Sequence, residues 1–327
     1  MKMVGSMAGV SAMTVSRALR NPESVSETVR DRIQAIVDRL GYVPNRVAGS
    51  LSSDRTTHVA LIVPSLRTSI HAEMIQGISD VLRQRNYQLM ISDSGNSLEL
   101  EEGLVRAYVS QRVCGLILHN TQHSDTTLRI LKNSGVPCVE TGNIHKSPID
   151  SIVSYSNQAA GAAMARHLLD RGYRRTAVAS LPVKNRERIR ALRRGFTSEM
   201  RKAGSAVPNE LLVEVDAGMP GGVNALRQIL EIAPDTEAIF FAGDVLAAGA
   251  LFECRRLGID VPGRLAIANS DDSELLHNCV PSVTSIQYPR YEIGTRAAQL
   301  ILECALGHQR GGVVEDLGFS VAQRDST

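Results

Sequence analysis

The sequence predicts a small all-helical N-terminal module, joined by a polar linker to a large α/β region built on parallel sheets. Three observations predict it. Helix signals broken by Gly9, by Asn21-Pro22 and by Gly41 fill residues 1–43; a polar stretch containing Pro, Gly and several Ser follows over 44–56; from His58 onward, short apolar runs alternate with amphipathic stretches. At 327 residues the chain exceeds one ordinary domain, and 43% hydrophobic with 21% charged residues allows packed cores and excludes disordered, collagenous and disulfide-scaffold classes.

In the N-terminal module Val4 to Ala8 can end one helix, which Gly9 breaks. Ser11 is placed to cap a second helix over Ala12 to Arg20, because a short side-chain oxygen can accept the backbone N–H groups that a helix start leaves without partners. A third helix begins at Ser26 and Glu27 and repeats Val29, Ile33, Ile36, Val37 and Leu40 at helical spacing up to Gly41. Three short helices with a glycine-containing turn between the first two form a helix-turn-helix arrangement.

The runs VALIV (59–63), YQLMIS (87–92), GLILH (115–119), CVET (138–141), SIVSY (151–155), TAVAS (176–180), AIFFA (238–242) and LAIAN (265–269) are apolar along their length rather than alternating. That pattern belongs to strands covered on both faces. Amphipathic stretches at Ala72–Arg85, Ala159–Arg171, Arg188–Ala203, Gly222–Glu231, Ala247–Leu257 and Tyr291–Leu306 supply the helices, and the length suffices for two sheets.

A net charge of +2 does not by itself imply a nucleic-acid partner, but the charge is uneven. Over residues 17–55, Arg17, Arg20, Arg30, Arg32, Arg39, Arg46 and Arg55 outnumber Glu23, Glu27, Asp31, Asp38 and Asp54, a modest local basic excess. The five cysteines are odd in number and widely spaced, with no CxxC, so reduced thiols are expected and no metal or cofactor is implied. No apolar stretch has the length of a membrane span, and no apolar segment with a cleavage site follows Lys2; a cytoplasmic protein is expected. The absence of GxSxG, P-loop and HExxH strings argues against an enzyme.

AGVSAMTVSRAL (8–19) and VSETVRDRIQAIVDRLGYVPNRVAGSL (25–51) resemble the DNA-binding headpiece of the LacI/GalR family of transcription regulators. The resemblance runs on through VALIVPS (59–65), RALRRGF (190–196), GDVLAAGAL (243–251), DVPGRLAIANSDD (260–272), PSVTSIQYPRYEIG (281–294) and QRDST (323–327). MTVSRALRNPESVS and DLGFSV resemble the gluconate-operon repressors most. The resemblance implies a headpiece over 1–43, a hinge over 44–56 and a periplasmic-binding-protein-like core over 57–327. That core would divide into an N-subdomain of about 57–171 with 288–318 and a C-subdomain of about 172–287 with 319–327, the chain crossing near 171, 287 and 318. It also implies a homodimer, double-stranded operator DNA as partner and a small-molecule effector in the interdomain cleft. The opening KMVGSMAGVS departs from the family's longer first helix, with Gly5 where alanine is usual, implying a first helix that is cut short or weak.

For the DNA site the resemblance implies that Ala12, Met13 and Arg17 face base edges. Arg17 can donate two hydrogen bonds to guanine O6 and N7, while Ala12 and Met13 can touch thymine methyls. Ser11, Thr14, Ser16 and Asn45 would hold phosphates, which sets register without reading sequence. Ala48 and Leu51 lie in the hinge, Leu51 as an apolar wedge for the central minor groove, where insertion unstacks a base step and bends the duplex. Val15 and Leu19 would face the headpiece core, and Met13 is as compatible with a core position as with base reading.

For the effector site the resemblance implies Ser69, His71, Asn157, Arg190, Asp271 and Arg290. Arg190 and Asp271 would meet sugar hydroxyls as donor and acceptor, and Arg290 would take a carboxylate in its planar fork, pointing to a sugar acid such as gluconate. Pairing of Arg290 with Glu292 or another surface acid is the alternative. Gly243 replaces an asparagine usual before the acid at Asp244, and Asn269-Ser270 stand where glycine and an aromatic are usual. A neutral sugar or a protein corepressor as effector, and a stand-alone solute-binding protein, remain alternatives; the last leaves the headpiece without a use.

Overall fold

The computed structural model describes residues 1–43, 56–67, 69–307 and 311–327, and of Arg20 and Ser69 the backbone only. It divides into two compact units, Met1–Thr56 and Thr57–Thr327.

The first unit holds three helices: α1 (Lys2–Ala8), α2 (Ala12–Arg20) and α3 (Glu27–Leu40). Gly9 and Gly41 close α1 and α3 in the left-handed conformation, at φ 66° and 57°, where a side chain is disfavoured. Ser11 caps α2, its hydroxyl accepting the Thr14 N–H at 3.0 Å. Val4, Ala8, Val15, Ala18, Ile33, Ile36 and Val37 form the shared core, with Leu19 packed against it. Gly5 allows the tight turn between α1 and α2: a Cβ there would lie 2.7 Å from the Val10 carbonyl oxygen.

The second unit contains two six-stranded sheets. The first comprises β1 (His58–Val63), β2 (Gln88–Asp93), β3 (Gly115–Leu118), β4 (Cys138–Glu140), β5 (Ser151–Ser154) and, late in the chain, β11 (Val314–Asp316), ordered β11-β5-β4-β3-β1-β2 and wholly parallel. The second comprises β6 (Thr176–Ser180), β7 (Leu212–Glu214), β8 (Ala238–Ala242), β9 (Ala266–Asn269), β10 (Thr284–Gln287) and β12 (Ser320–Ala322), ordered β12-β10-β9-β8-β6-β7. Only β12 runs antiparallel, against β10. Helices cover both faces, which is why the central strands are apolar throughout. In β1, Val59, Leu61 and Val63 pack with α4 (Ala72–Gln84) and α12 (Arg290–Ala305), while Ala60 and Ile62 pack with α5 (Leu98–Ser110) and α6 (Asp125–Ser134). The second sheet sits likewise between α7 (Asn157–Asp170) with α8 (Glu187–Lys202) and α9 (Met219–Ile232) with α10 (Asp244–Leu257). Facing glycines let α7 and α8 cross closely: a Cβ on Gly195 would stand 1.9 Å from the Gln158 carbonyl, and one on Gly161 2.0 Å from that of Leu192.

The chain passes between the two sheets' lobes between β5 and α7, between β10 and α12, and between β11 and β12. The first passage is a correction to the sequence expectation. α7 packs on α8 and touches β12, so it belongs with the second sheet, and the boundary lies between Ser154 and Asn157 instead of near 171. An amphipathic pattern shows which face of a helix is buried but not which sheet buries it. Among the described residues no helix is long and apolar enough to cross a membrane.

A buried ionic cluster ties α5, β4 and the loop before α6 together. His123 Nδ1 is 2.6 Å from Glu101 Oε1, and Glu140 Oε1 lies 3.4 Å from His123 Nε2 and 3.0 Å from His145 Nε2. Burial alone would depress His123, but hydrogen bonds and charge from Glu101 and Glu140 outweigh it and push its pKa up to about 9. A group raised above its unfolded value of 6.5 stabilises the fold fully below that pH and ceases to do so as pH rises through about 9. The melting temperature should therefore fall between pH 7 and 10 in the native protein, and that slope should flatten in His123→Gln; equal slopes in thermal melts of both proteins would remove this role.

Candidate functional site

Two sites carry chemistry, one in each unit. In the headpiece, α2 is divided by its own periodicity. Val15 and Ala18 are buried, whereas Met13, Ser11 and Arg17 face solvent and Ala12, Thr14 and Ser16 are half-buried. Met13 is 72% exposed, so the core position open to it from sequence is not the one it takes. Arg17 forms no ion pair among the described residues. A helix whose outward N-terminal residues include a free guanidinium, an exposed thioether and short hydroxyls has the dimensions and donors that a major groove accepts. Asn45, Ala48 and Leu51 lie outside the described residues.

In the second unit, each sheet reverses its winding beside its first strand: β1 lies between β2 and β3, and β6 between β7 and β8. Crevices open at the carboxyl ends of strands at such reversals, and here the two face one another. A cavity of about 340 Å³ lies there. Its wall takes Pro64 and Ser65 after β1, His119 and Asn120 after β3, Leu181 after β6, Ala242 and Gly243 at β8, and Ser270 and Asp271 after β9.

The predicted effector residues are distributed unevenly around it. His71, Asn157 and Asp271 line the cavity. Asn157 spends its side-chain donors locally, on the Gly142 carbonyl at 2.6 Å and Asn143 Oδ1 at 3.0 Å. Ser69 opens a 3-10 turn ending at His71, and its side chain lies outside the described part. Arg190 and Arg290 are not in the wall. Arg190 is held by Glu187, its Nε at 2.7 Å, and Arg290 donates from Nη2 to Asp271 Oδ1 at 2.5 Å. Arg290 thus has an acid partner, but it is the buried Asp271, itself an expected effector residue, and not Glu292 or another surface acid.

Arg188 stands where Arg190 was expected, for reasons of helical phase. In α8 the buried residues include Leu192 and Gly195, four and seven positions beyond Arg188, so Arg188 shares their inward face. Arg190 is two residues on and points elsewhere. Arg188 Nη1 donates to His119 Nε2 at 3.0 Å, so the His119 proton resides on Nδ1, which meets Thr141 Oγ1 at 2.8 Å. The Arg188 Nε is buried with no hydrogen-bond partner, and Arg188 has no carboxylate partner among the described residues. Both cavity histidines are neutral: burial, then the charges of Arg188 and Arg290, lowers His71 to about 3, and burial with Arg188 and the neighbouring His71 holds His119 well below its ordinary value. Their rings meet edge to face at 4.7 Å. Arg188, His119, Asn96, Asn120 and Tyr288 were not named from sequence; the phase of α8 and the position of His119 at the end of GLIL were the signals that could have found the first two.

Both units match known protein families. Residues 1–45 match the family model for bacterial regulatory proteins of the lacI family, and residues 165–327 match that for a periplasmic binding protein-like domain. The chain is 33% identical over 319 residues to the HTH-type transcriptional regulator GntR of Escherichia coli K12, covering 98% of this chain and 96% of that one. A LacI-family transcriptional regulator from Silicibacter pomeroyi superposes with a TM-score of 0.91 at 31% identity, covering 99% and 97% of the two chains. A CelR–cellobiose complex superposes at 0.72 with 29% identity, covering 100% and 99%. With an outward-facing capped helix in one unit and a strand-end cavity between paired parallel sheets in the other, the chain belongs to the LacI family of DNA-binding transcriptional regulators.

Proposed function

We propose that this regulator acts in the cytoplasm as a homodimeric repressor on a palindromic operator, and that a sugar acid of the aldonate class, such as gluconate, releases it. The observation that carries this reading is the buried, unpartnered Nε of Arg188 in the cavity wall. A buried guanidinium N–H without an acceptor is costly, and a carboxylate relieves it with a charge-assisted bond. With His71 and His119 neutral, the cations of the wall are Arg67, Arg186 and Arg188, and Arg188 is the one bonded to His119. Asn96 and Asn120 offer amide groups, and Ser270 a hydroxyl oxygen as acceptor, for the hydroxyls of a polyol, and the volume suits a small ligand. A neutral sugar is the second reading, favoured by the likeness to the cellobiose complex of CelR; it would offer the Nε a hydroxyl oxygen, an uncharged acceptor that makes a weaker bond than a carboxylate.

The effector shifts the regulator only if it binds one cleft arrangement more tightly than the other. In this reading the linker and Leu51, with Asn45 and Ala48, convey that difference to the headpiece.

Isothermal titration separates the two effector classes. Gluconate should bind and glucose should not, and Arg188→Met should weaken gluconate about 10- to 100-fold, the value of one hydrogen bond to a charged group. Unchanged gluconate binding by that variant would remove Arg188 from the role. Because both histidines titrate well below neutrality, gluconate affinity should be flat between pH 6 and 8.

Arg17→Ala should cost about 1–3 kcal/mol of specific operator binding and relax base preference at one position in each half-site. A selection experiment that returned the same operator consensus for variant and parent would exclude Arg17 from base reading.

A further inference from the structure

Three acids line the cavity, Glu187, Asp244 and Asp271, and of these Glu187 and Asp271 are each bonded to an arginine that is not itself in the wall, Arg190 and Arg290. The Asp271 pair is the buried one. Asp271 is 7% exposed and Arg290 8%. Both Asp271 oxygens are engaged, Oδ1 by Arg290 and Oδ2 by the Ser270 hydroxyl at 2.7 Å. Arg290 also lies against the wall residue Tyr288, its Cζ 5.1 Å from the ring centroid, and Tyr288 stacks on Tyr155 at 3.8 Å. The guanidinium thus touches two wall residues from behind. It joins the start of α12, in the first lobe, to the end of β9, in the second.

From this arrangement we infer that Arg290 is a specificity-determining residue that sets the charge class of the effector without contacting it. It does so as the buried counter-ion of Asp271, cancelling that carboxylate's charge so that it does not oppose the wall arginines Arg67, Arg186 and Arg188 in attracting an anion. The inference rests on the reading of the cleft as a site for an acid. Without Arg290, Asp271 would be an uncompensated carboxylate in the same wall that must receive the effector's carboxylate. At short range in a partly buried site two like charges repel by several times the thermal energy, enough to exclude an anion. Each Asp271 oxygen has two acceptor positions and uses one here, so each can still take a hydroxyl of the ligand. The pair therefore serves hydroxyl recognition while cancelling the charge. Arg190 is more exposed, its side chain 43% accessible, so solvent screens its pairing with Glu187 and the same role there is weak.

A double-substitution cycle tests this directly. Gluconate and its neutral isostere gluconamide are titrated into the full-length wild-type protein, Arg290→Met, Asp271→Asn and the double variant. Arg290→Met should lose gluconate by about 10- to 100-fold while gluconamide changes by less than about threefold. The double variant, which buries no unpaired charge and so is guarded against misfolding, should regain gluconate to within about fivefold of wild type. A double variant as weak for gluconate as Arg290→Met alone would overturn the inference, since it would mean that the guanidinium itself holds the ligand's carboxylate. Equal loss of both ligands in Arg290→Met would overturn it too, as the mark of a packing role. A wild-type protein that does not prefer gluconate to gluconamide would take down the acid-site reading itself, and this inference with it.

Discussion

A charge removed from water needs a partner, and this constraint organises the core of the molecule. Arg290 and Asp271 satisfy it for each other where the chain crosses between the lobes, and His123 satisfies it between Glu101 and Glu140 within the first lobe. Arg188 meets it only in part. One of its N–H groups is taken by His119, across from α8 at the end of β3, while its Nε is buried and bonded to nothing. The unfilled requirement lies in the cavity, and it defines what should fill it.

The sheets explain why that cavity is where it is. Both are wound so that the chain reverses beside the first strand, and the loops leaving strand ends at these reversals supply most of the wall. The lobes are linked by three passages, and the Tyr155–Tyr288 stack joins residues at two of them. A ligand bonded to Arg188 from the second lobe and to residues of the first would favour one arrangement of the lobes over others, which is the thermodynamic requirement for a switch.

Much of the architecture was legible in the sequence. Most of the apolar runs became interior strands because burial on both faces demands apolar residues at every position, whereas YQLMIS became the half-exposed edge strand β2; glycine and asparagine punctuation marked the ends of α1, α2 and α3. Strands β7, β10, β11 and β12 were not read: β7, β11 and β12 are three-residue edge elements of mixed burial, and β10 (TSIQ) is too short and polar to stand out as an apolar run. Helices α5 and α6 are dense in Glu, Thr and Asn, and their apolar stripes are thin. The site was legible in type more than in detail. That arginines and acids furnish the cleft could be read from local strings, but Arg188 replaces Arg190 through a difference of helical phase. The partner of Arg290 lies nineteen positions away in another lobe, and no local pattern encodes that contact.

The central claim is that filling the cleft with an acid loosens the headpiece from DNA. Fluorescence anisotropy of a labelled operator, bound by the full-length protein and titrated with gluconate at constant ionic strength, measures it most directly. The expected result is saturable release of the operator by gluconate but not by glucose. An operator held with unchanged affinity at saturating gluconate would contradict the claim.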